Sequence, residues 1–531
     1  MRHTPYYIII YTILLFCSLT SRAGQPLTFF QYDDSTAYPK RETRAVWLTT
    51  LNGLDWPRTK ATSAAAIARQ KQELRDILDR LQAIHINTIL FQTRTRGSVL
   101  YPSAIEPWDV ALTGQYGKDP GYDPLAFAID EAHQRGMELH AWVVTIPYCK
   151  TDVATKMGKK TKLRQRPDLF VRHNGTWYLN PGLPGTADYL ASICREIVGR
   201  YDVDGIHFDY IRYPEKASSF ADNATYRRYA AKGQSKDEWR RQNITDIVRR
   251  IYADVKALKP WVRVSSSPVG KYADLPRASS MGWNARDAVY QDAQGWLRQG
   301  IHDMLFPMMY FDGSHFYPFA ADWQEHSCGR CVAPGLGIYF LDKREKDWPL
   351  TTITRQLHYL REQGLAGQCY FRSRFLTDDV KGIYTYLQQD FYPFPALTPS
   401  CIWLDNEAPA TPVLHEKRSL DACTTQLVWN SVVDNLGGGV RYNIYASQQW
   451  PVSTDDPRNI VATALTDTTF TCSSITNRFL GYHLAITAID RCGNESEPCQ
   501  VDTFGGRRPT FNFFRSVLPL RSAKNVSNVR K

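Results

Sequence analysis

The 531-residue chain lacks the marks of several large enzyme classes. It has no glycine-rich phosphate loop, no Gly-x-Ser-x-Gly elbow and no zinc-binding motif, which argues against phosphoryl transfer, esterase and metalloprotease chemistry. One Cys-x-x-Cys is present, Cys328-Gly-Arg-Cys331, with no second pair and no histidine cluster at zinc-ligand spacing. It reads as two thiols or a local bridge, and no metal or other cofactor is expected. After residue 23 no run is apolar enough to span a bilayer, so no transmembrane helix is expected in the mature chain. Acidic residues are absent from 507–531, where seven Lys/Arg collect. With two arginines before residue 24, that tail carries most of the formal charge of +11 and leaves a body of about +2. A nearly neutral body offers nucleic acid little. The tail suits association with an anionic envelope surface, or is simply solvated.

What is present begins with an export signal. Arg2 and His3 precede an apolar stretch from Tyr6 to Leu19, and Ser21-Arg22-Ala23 fits small-x-small before a cut after Ala23. The expected location is the periplasm or cell envelope. Leu14-Leu15-Phe16-Cys17 faintly resembles a lipoprotein signal, but the bulky Phe16 argues against that anchoring. Export permits disulfides, and Cys492 and Cys499, with Cys423 and Cys472, could bridge near the C-terminus. Aromatics are plentiful, with 14 Trp, 30 Tyr and 23 Phe, which suits either β-rich cores or stacking on sugar rings.

Residues 41–390 alternate short apolar runs with amphipathic stretches. The runs predict eight strands at Ala45–Thr49, Ile86–Gln92, Glu138–Thr145, Gly205–Tyr210, Val262–Ser266, Met304–Tyr310, Val332–Tyr339 and Gly367–Phe371. Helical spacing falls at Ala64–Ala83, Leu125–Arg135, Ala187–Arg200, Asp237–Leu258, Ala288–Gln299 and Ile353–Gln363. Eight such units predict an α/β fold, a (β/α)8 TIM barrel, whose active site forms where strands end. An open doubly wound sheet is the alternative, without a Gly-x-Gly-x-x-Gly to support it. A Pro-rich linker, 391–407, leads to an all-β segment at 408–503 and the basic tail, 504–531. In that segment Arg441-Tyr-Asn-Ile-Tyr-Ala446 and Tyr482–Asp490, followed by Gly493-Asn-Glu-Ser-Glu497, resemble a fibronectin type III sandwich.

Asp204-Gly-Ile-His-Phe-Asp209 is the sharpest local motif. Period two puts His207 and Asp209 on one face, with Asp209 at the strand's C-terminal rim. Around it stand Thr43–Thr49, Asn87–Gln92, Ala104–Trp108, Gly121–Leu125, His140-Ala-Trp142, Leu179–Gly182, Ser265–Pro268, Tyr290-Gln-Asp292 and Phe306–Tyr310. In this order the motifs resemble the glycosyl hydrolase-like 10 family, the bacterial "family 10 glycosylhydrolase" envelope proteins. The resemblance implies a (β/α)8 barrel and action on bacterial cell-wall glycan. In the family pattern the sixth strand reads Pro-Gln-x-Tyr, and Met308 here replaces the glutamine.

Glycoside hydrolysis uses two carboxyl groups, or one acid where a substrate acetamido group attacks. The candidates are Asp209, then Glu106, whose Ile, Pro and Trp neighbours could raise its pKa, then Asp312. Asp292 reads better as a helix-to-barrel salt bridge. Gln92, Arg94, His140, Asn180, Tyr310, His207 and Arg212 are candidate substrate-binding residues, Arg212 alternatively a partner of Asp209, and Trp108, Trp142 and Tyr213 candidate stacking platforms. The expected activity is hydrolysis of an envelope polysaccharide, peptidoglycan glycan strands. A non-catalytic glycan-binding scaffold and a hydrolase of host or dietary polysaccharide are the alternatives.

Overall fold

The computed structural model describes residues 38–159, 161–278, 283–421, 424–473 and 482–502. The expected signal segment with Ala23, the basic tail and Cys423 lie outside them.

The first five parallel strands are β1 (Thr43–Leu48), β2 (Thr88–Arg94), β3 (Glu138–Val144), β4 (Gly205–Asp209) and β5 (Arg263–Ser266). The sixth stave, β6, is split into Met304–Leu305 and Met308–Met309. The seventh, β7, is split into Cys331–Val332 and Gly335–Leu336, and β8 is Gly367–Phe371. Both splits fall at a proline, Pro307 and Pro334, which has no N–H to donate. Each half of β6 bonds to β5 or its extension on one side and to β7 on the other. β7 pairs with β8, and β8 with β1. The ten strand segments therefore curl into one closed parallel barrel of eight staves, the expected TIM architecture.

Helices α1 (Ala64–Gln82), α2 (Pro124–His133), α3 (Pro184–Arg200), α4 (Lys236–Leu258), α5 (Ala293–Arg298), α6 (Tyr317–Glu325) and α7 (Leu350–Glu362) follow the first seven strands in turn. Their starts obey local chemistry. Ser63 accepts the Ala66 N–H, Asp123 those of Leu125 and Ala126, and Ser235 with Glu238 forms a capping box. α1 buries Ala66, Gln70, Leu74, Leu78 and Leu81, a stripe at helical spacing. α6 carries no cap bond and was not marked by the sequence pattern. Among the described residues no helix is long and apolar enough to cross a membrane.

Closure between β8 and β1 depends on Gly367. Its φ is +139°, and a Cβ there would run into the Thr43 carbonyl on β1. Gly367→Ala should lower stability by about 3 kcal/mol or more, measured by urea unfolding.

The barrel's N-terminal face is a floor of paired charges. Glu42 accepts from Arg44 and Arg361 at 2.8 Å each. Glu138 bonds Arg263 and, at 2.8 Å, Thr398 Oγ1. Asp204, just before β4, takes Leu139 N–H at 2.8 Å, Arg441 at 3.1 Å and Arg491 at 2.9 Å. Arg441 belongs to the C-terminal sheets, and Arg491 to a turn joining two of their strands. Those sheets are β9 (Leu414–Ser419), β10 (Thr424–Trp429), β11 (Arg441–Ser447), β12 (Ile460–Leu465), β13 (Thr469–Ser473), β14 (His483–Ile489) and β15 (Cys499–Val501). They form two antiparallel layers, ordered β9-β10-β13 and β12-β11-β14-β15, around Leu427, Trp429, Tyr442, Ile444 and Ile486. The Pro-rich connector is not a free linker. Leu397 exchanges backbone bonds with Lys40 and Glu42 at 2.9 Å, and Phe391, Tyr392 and Cys401 are buried against the floor.

Candidate active site

At the opposite pole, β4 ends on Asp209 and the chain turns at once. Tyr210 adopts a left-handed φ of 54°, uncommon for a bulky side chain and typical of over-determined sites. Its N–H meets Asp209 Oδ1 at 2.8 Å, and its ring stays 41% exposed. Trp142, on β3, donates Nε1–H to Asp209 Oδ2 at 3.2 Å, and Ser267, just after β5, donates to Oδ1 at 3.3 Å. Three donors and the nearby Arg212 favour the carboxylate, but burial outweighs them and pushes Asp209 up to about 6. A carboxyl poised there can hold a proton near neutrality and deliver it, as a general acid must.

Arg212 is held between two exposed rings. Its guanidinium lies 4.8 Å from the Tyr210 ring centre and 5.2 Å from that of Trp283. One Nη donates to Tyr213 O at 3.3 Å, while the buried Nε has no partner. Arg96, in the loop after β2, and Arg212 both oppose the upward shift of the Tyr178 and Tyr210 phenols, driven by burial at Tyr178 and by the Asp209 charge at Tyr210. Tyr178 comes from a small antiparallel sheet, Pro147–Lys150, Phe170–His173 and Thr176–Leu179, inserted between β3 and α3. Tyr310, after β6, packs against Tyr339 and Phe371 at 5.7 and 5.5 Å. The mouth is thus a carboxyl with a raised pKa among aromatic faces and two arginines, a surface suited to sugar rings. Trp283→Ala should raise KM for an oligosaccharide roughly tenfold and leave kcat within about twofold, read from steady-state kinetics.

Several candidate residues serve the scaffold instead. Glu106 is a correction: its carboxylate is sealed in a two-point pair with Arg94 at 2.7 Å and accepts the Tyr189 hydroxyl. No sugar oxygen can reach it. Arg94 also donates to the Val144 and Thr145 carbonyls and has no free donor face. Gln92 Oε1 accepts from Thr49 Oγ1, Thr50 N and Leu51 N, bracketing the loop after β1. Asn180 bonds Thr225 Oγ1 and Gly182 N. Tyr213 is fully buried beneath Phe220 and Tyr290. Trp108 is half-buried against the main core.

His140 and His207 fill the lumen. His207 Nε2 accepts Trp47 Nε1–H at 3.1 Å and its Nδ1 meets Ser265 Oγ at 3.0 Å. Burial first, then the neighbouring His140 and His302, keep His207 well below the ordinary histidine range. The neutral ring is packing, not a substrate contact. Asp292 caps α5 by accepting the Gly295 N–H at 3.2 Å, in place of the expected salt bridge. Asp312 remains exposed in the loop after β6. Arg212, Trp142 and Tyr310 gather with Asp209. Sequence reading placed Tyr210 with Asp209 at the strand end but missed Tyr178, Ser267, Trp283 and Arg96. Ser267 lay in the Ser265–Pro268 motif and was within reach. Among the described residues two groups could offer a cation three ligand atoms within 4.8 Å of one another, Asp322/Glu325/His326 and Asp405/Asp434/Asp490, and neither belongs to the mouth.

Comparison with known proteins places this geometry. The model of the family described as "Glycosyl hydrolase-like 10" matches residues 42–331. "Glycosyl hydrolase YngK" of Bacillus subtilis (strain 168) is 34% identical over 404 residues, 72% of this chain and 78% of the relative. "Glycosyl hydrolase DigH" of Escherichia coli (strain K12) is 35% identical over 346 residues, 60% of this chain and 78% of the relative. Among solved structures, the PgaB (BpsB) glycoside hydrolase domain from Bordetella bronchiseptica aligns with TM-score 0.48 at 13% identity, covering 68% of this chain and 100% of that one. The chain belongs to the glycosyl hydrolase-like 10 family and is a glycoside hydrolase.

Proposed function

We propose that the protein is an exported glycosidase that cleaves an N-acetylated envelope polysaccharide, the glycan strands of peptidoglycan. The observation that carries the reading is Asp209: a rim carboxyl raised to about 6, bonded to the buried Trp142 and followed by the exposed ring of Tyr210. Asp209 protonates the leaving glycosidic oxygen as the oxocarbenium-like state develops. With Glu106 locked to Arg94, the second group is Asp312 or the substrate's own acetamido oxygen. The export signal ending at Ala23 and the basic tail at 507–531 support placement at an anionic wall. The strand order of the C-terminal sheets supports a fibronectin type III-like module. Its seat on the barrel floor favours a spacing or stabilising role.

The test is release of new reducing ends from purified glycan strands, compared with chitin-type and neutral polymers. Turnover of amino-sugar strands alone supports the reading. Equal or greater turnover of a neutral polysaccharide would sink the envelope assignment and leave the glycosidase.

A further inference from the structure

The Cys-x-x-Cys sequence is not a pair in space. Cys328 is exposed, its sulfur 3.6 Å from the His326 carbonyl, while Cys331 is buried at the start of β7. The Cys331 thiol instead lies beside that of Cys401, the neighbour that acts on it most strongly. Independent contacts fix this meeting. Cys331 N–H bonds the Asp303 carbonyl at 3.3 Å. Two residues after Cys401, Trp403 donates Nε1–H to the Asp303 carboxylate at 2.9 Å, and Arg330 lies over the Trp403 ring at 4.5 Å. Cys401 N–H bonds the Cys492 carbonyl at 2.7 Å. Both thiols are buried, with 5% and 0% exposure, so neither is open to bulk reagents in the folded protein.

We propose that Cys331 and Cys401 are a disulfide-forming pair that bonds the connector between the barrel and the C-terminal sheets to the barrel floor. The site is a modification site distinct from the sugar-binding mouth and does not rest on the proposed substrate. Formation joins the two sulfurs and breaks two S–H bonds. The two electrons and two protons pass to a disulfide oxidant, such as glutathione disulfide, which leaves as two thiols. The neighbouring Cys331 and then Arg263 favour the Cys401 thiolate, the attacking form, against burial. The bond closes a 71-residue loop from Cys331 to Cys401 inclusive, long enough for cross-linking to restrict the unfolded chain strongly. Burial makes the reaction a step of folding rather than a late surface event.

Trypsin makes the test unambiguous. It cuts after Arg330, which separates Cys328 from Cys331, and yields 331–343 and 382–417, each with one cysteine. The full chain is refolded in glutathione/glutathione disulfide buffer, alkylated, and mapped without reduction. The expected product is 331–343 linked to 382–417, lost on reduction and retained in Cys328→Ser. Reduction of the wild type should lower the thermal midpoint by roughly 5 °C, and Cys331→Ser should make the midpoint insensitive to reductant. Two results would overturn the pairing: both peptides recovered singly alkylated after equilibration, or 382–417 linked to 492–507, which carries Cys492. Should Cys331→Ser fail to fold, the wild-type map alone decides.

Discussion

Asp209→Asn should reduce glycan cleavage on the order of 10³-fold, the usual worth of a general acid, while making the protein more stable near neutral pH. The two effects share one origin. Asp209 is raised from 3.8 to about 6 because it is buried. Between those values the native carboxyl is protonated and the unfolded one ionised, so the native state binds the extra proton and stability falls as pH rises. The loss is complete above about pH 6 and amounts to about 3 kcal/mol for a shift of roughly two units. Asparagine has no charge to bury and escapes it. Urea unfolding at pH 4 and pH 7.5 checks this: the variant's advantage should be present at the higher pH and shrink at the lower. In the wild type, kcat/KM should fall about tenfold per unit above pH 6, as the acid loses its proton. A flat profile from pH 6 to 8, or an active Asp209→Asn, would remove Asp209 from the mechanism.

Glu106→Ala should produce the opposite pattern. It leaves the Arg94 guanidinium, with a fully buried side chain, without its counter-charge. Breaking one side of such a pair typically costs about 3–5 kcal/mol. The Tyr189 hydroxyl loses its acceptor at the same time. Turnover per folded molecule should stay within a few-fold of wild type, because the carboxylate never faces the mouth. Arg94→Met with Glu106→Gln should recover much of the stability, since no unpaired charge remains. A large loss of kcat in folded Glu106→Gln would restore Glu106 as a catalytic residue.

The barrel was legible because its signal is local and repeated. Apolar runs such as Val262–Ser266 and Gly367–Phe371 fall where the structure has strands, and α1, α3 and α4 carry their stripes plainly. α6 was not legible. Its nine residues begin Tyr-Pro-Phe without a capping side chain, and its tryptophan and phenylalanine do not separate a helix from a loop. The candidate site was legible only where a strand's alternation fixes direction. Asp209 and Trp142 follow from period two. Glu106 did not, because its sequence neighbours are apolar, whereas the group that pairs with it, Arg94, is twelve residues away. Trp283 and Tyr178 reach the mouth from long insertions whose path no periodicity describes. Cys331 is the same lesson: its sequence partner is three residues off, and its spatial partner seventy.

The charged seam under the barrel, where Arg441 of the C-terminal sheets and Arg491 of a turn joining two of their strands grip Asp204, has a geometric corollary. It gives the molecule a fore and an aft. The C-terminal sheets lie aft, and Asp209 looks the other way, a full stave-length distant. A glycan that reaches Asp209 therefore approaches from the front, and changes confined to the aft sheets should leave the cut itself unaltered.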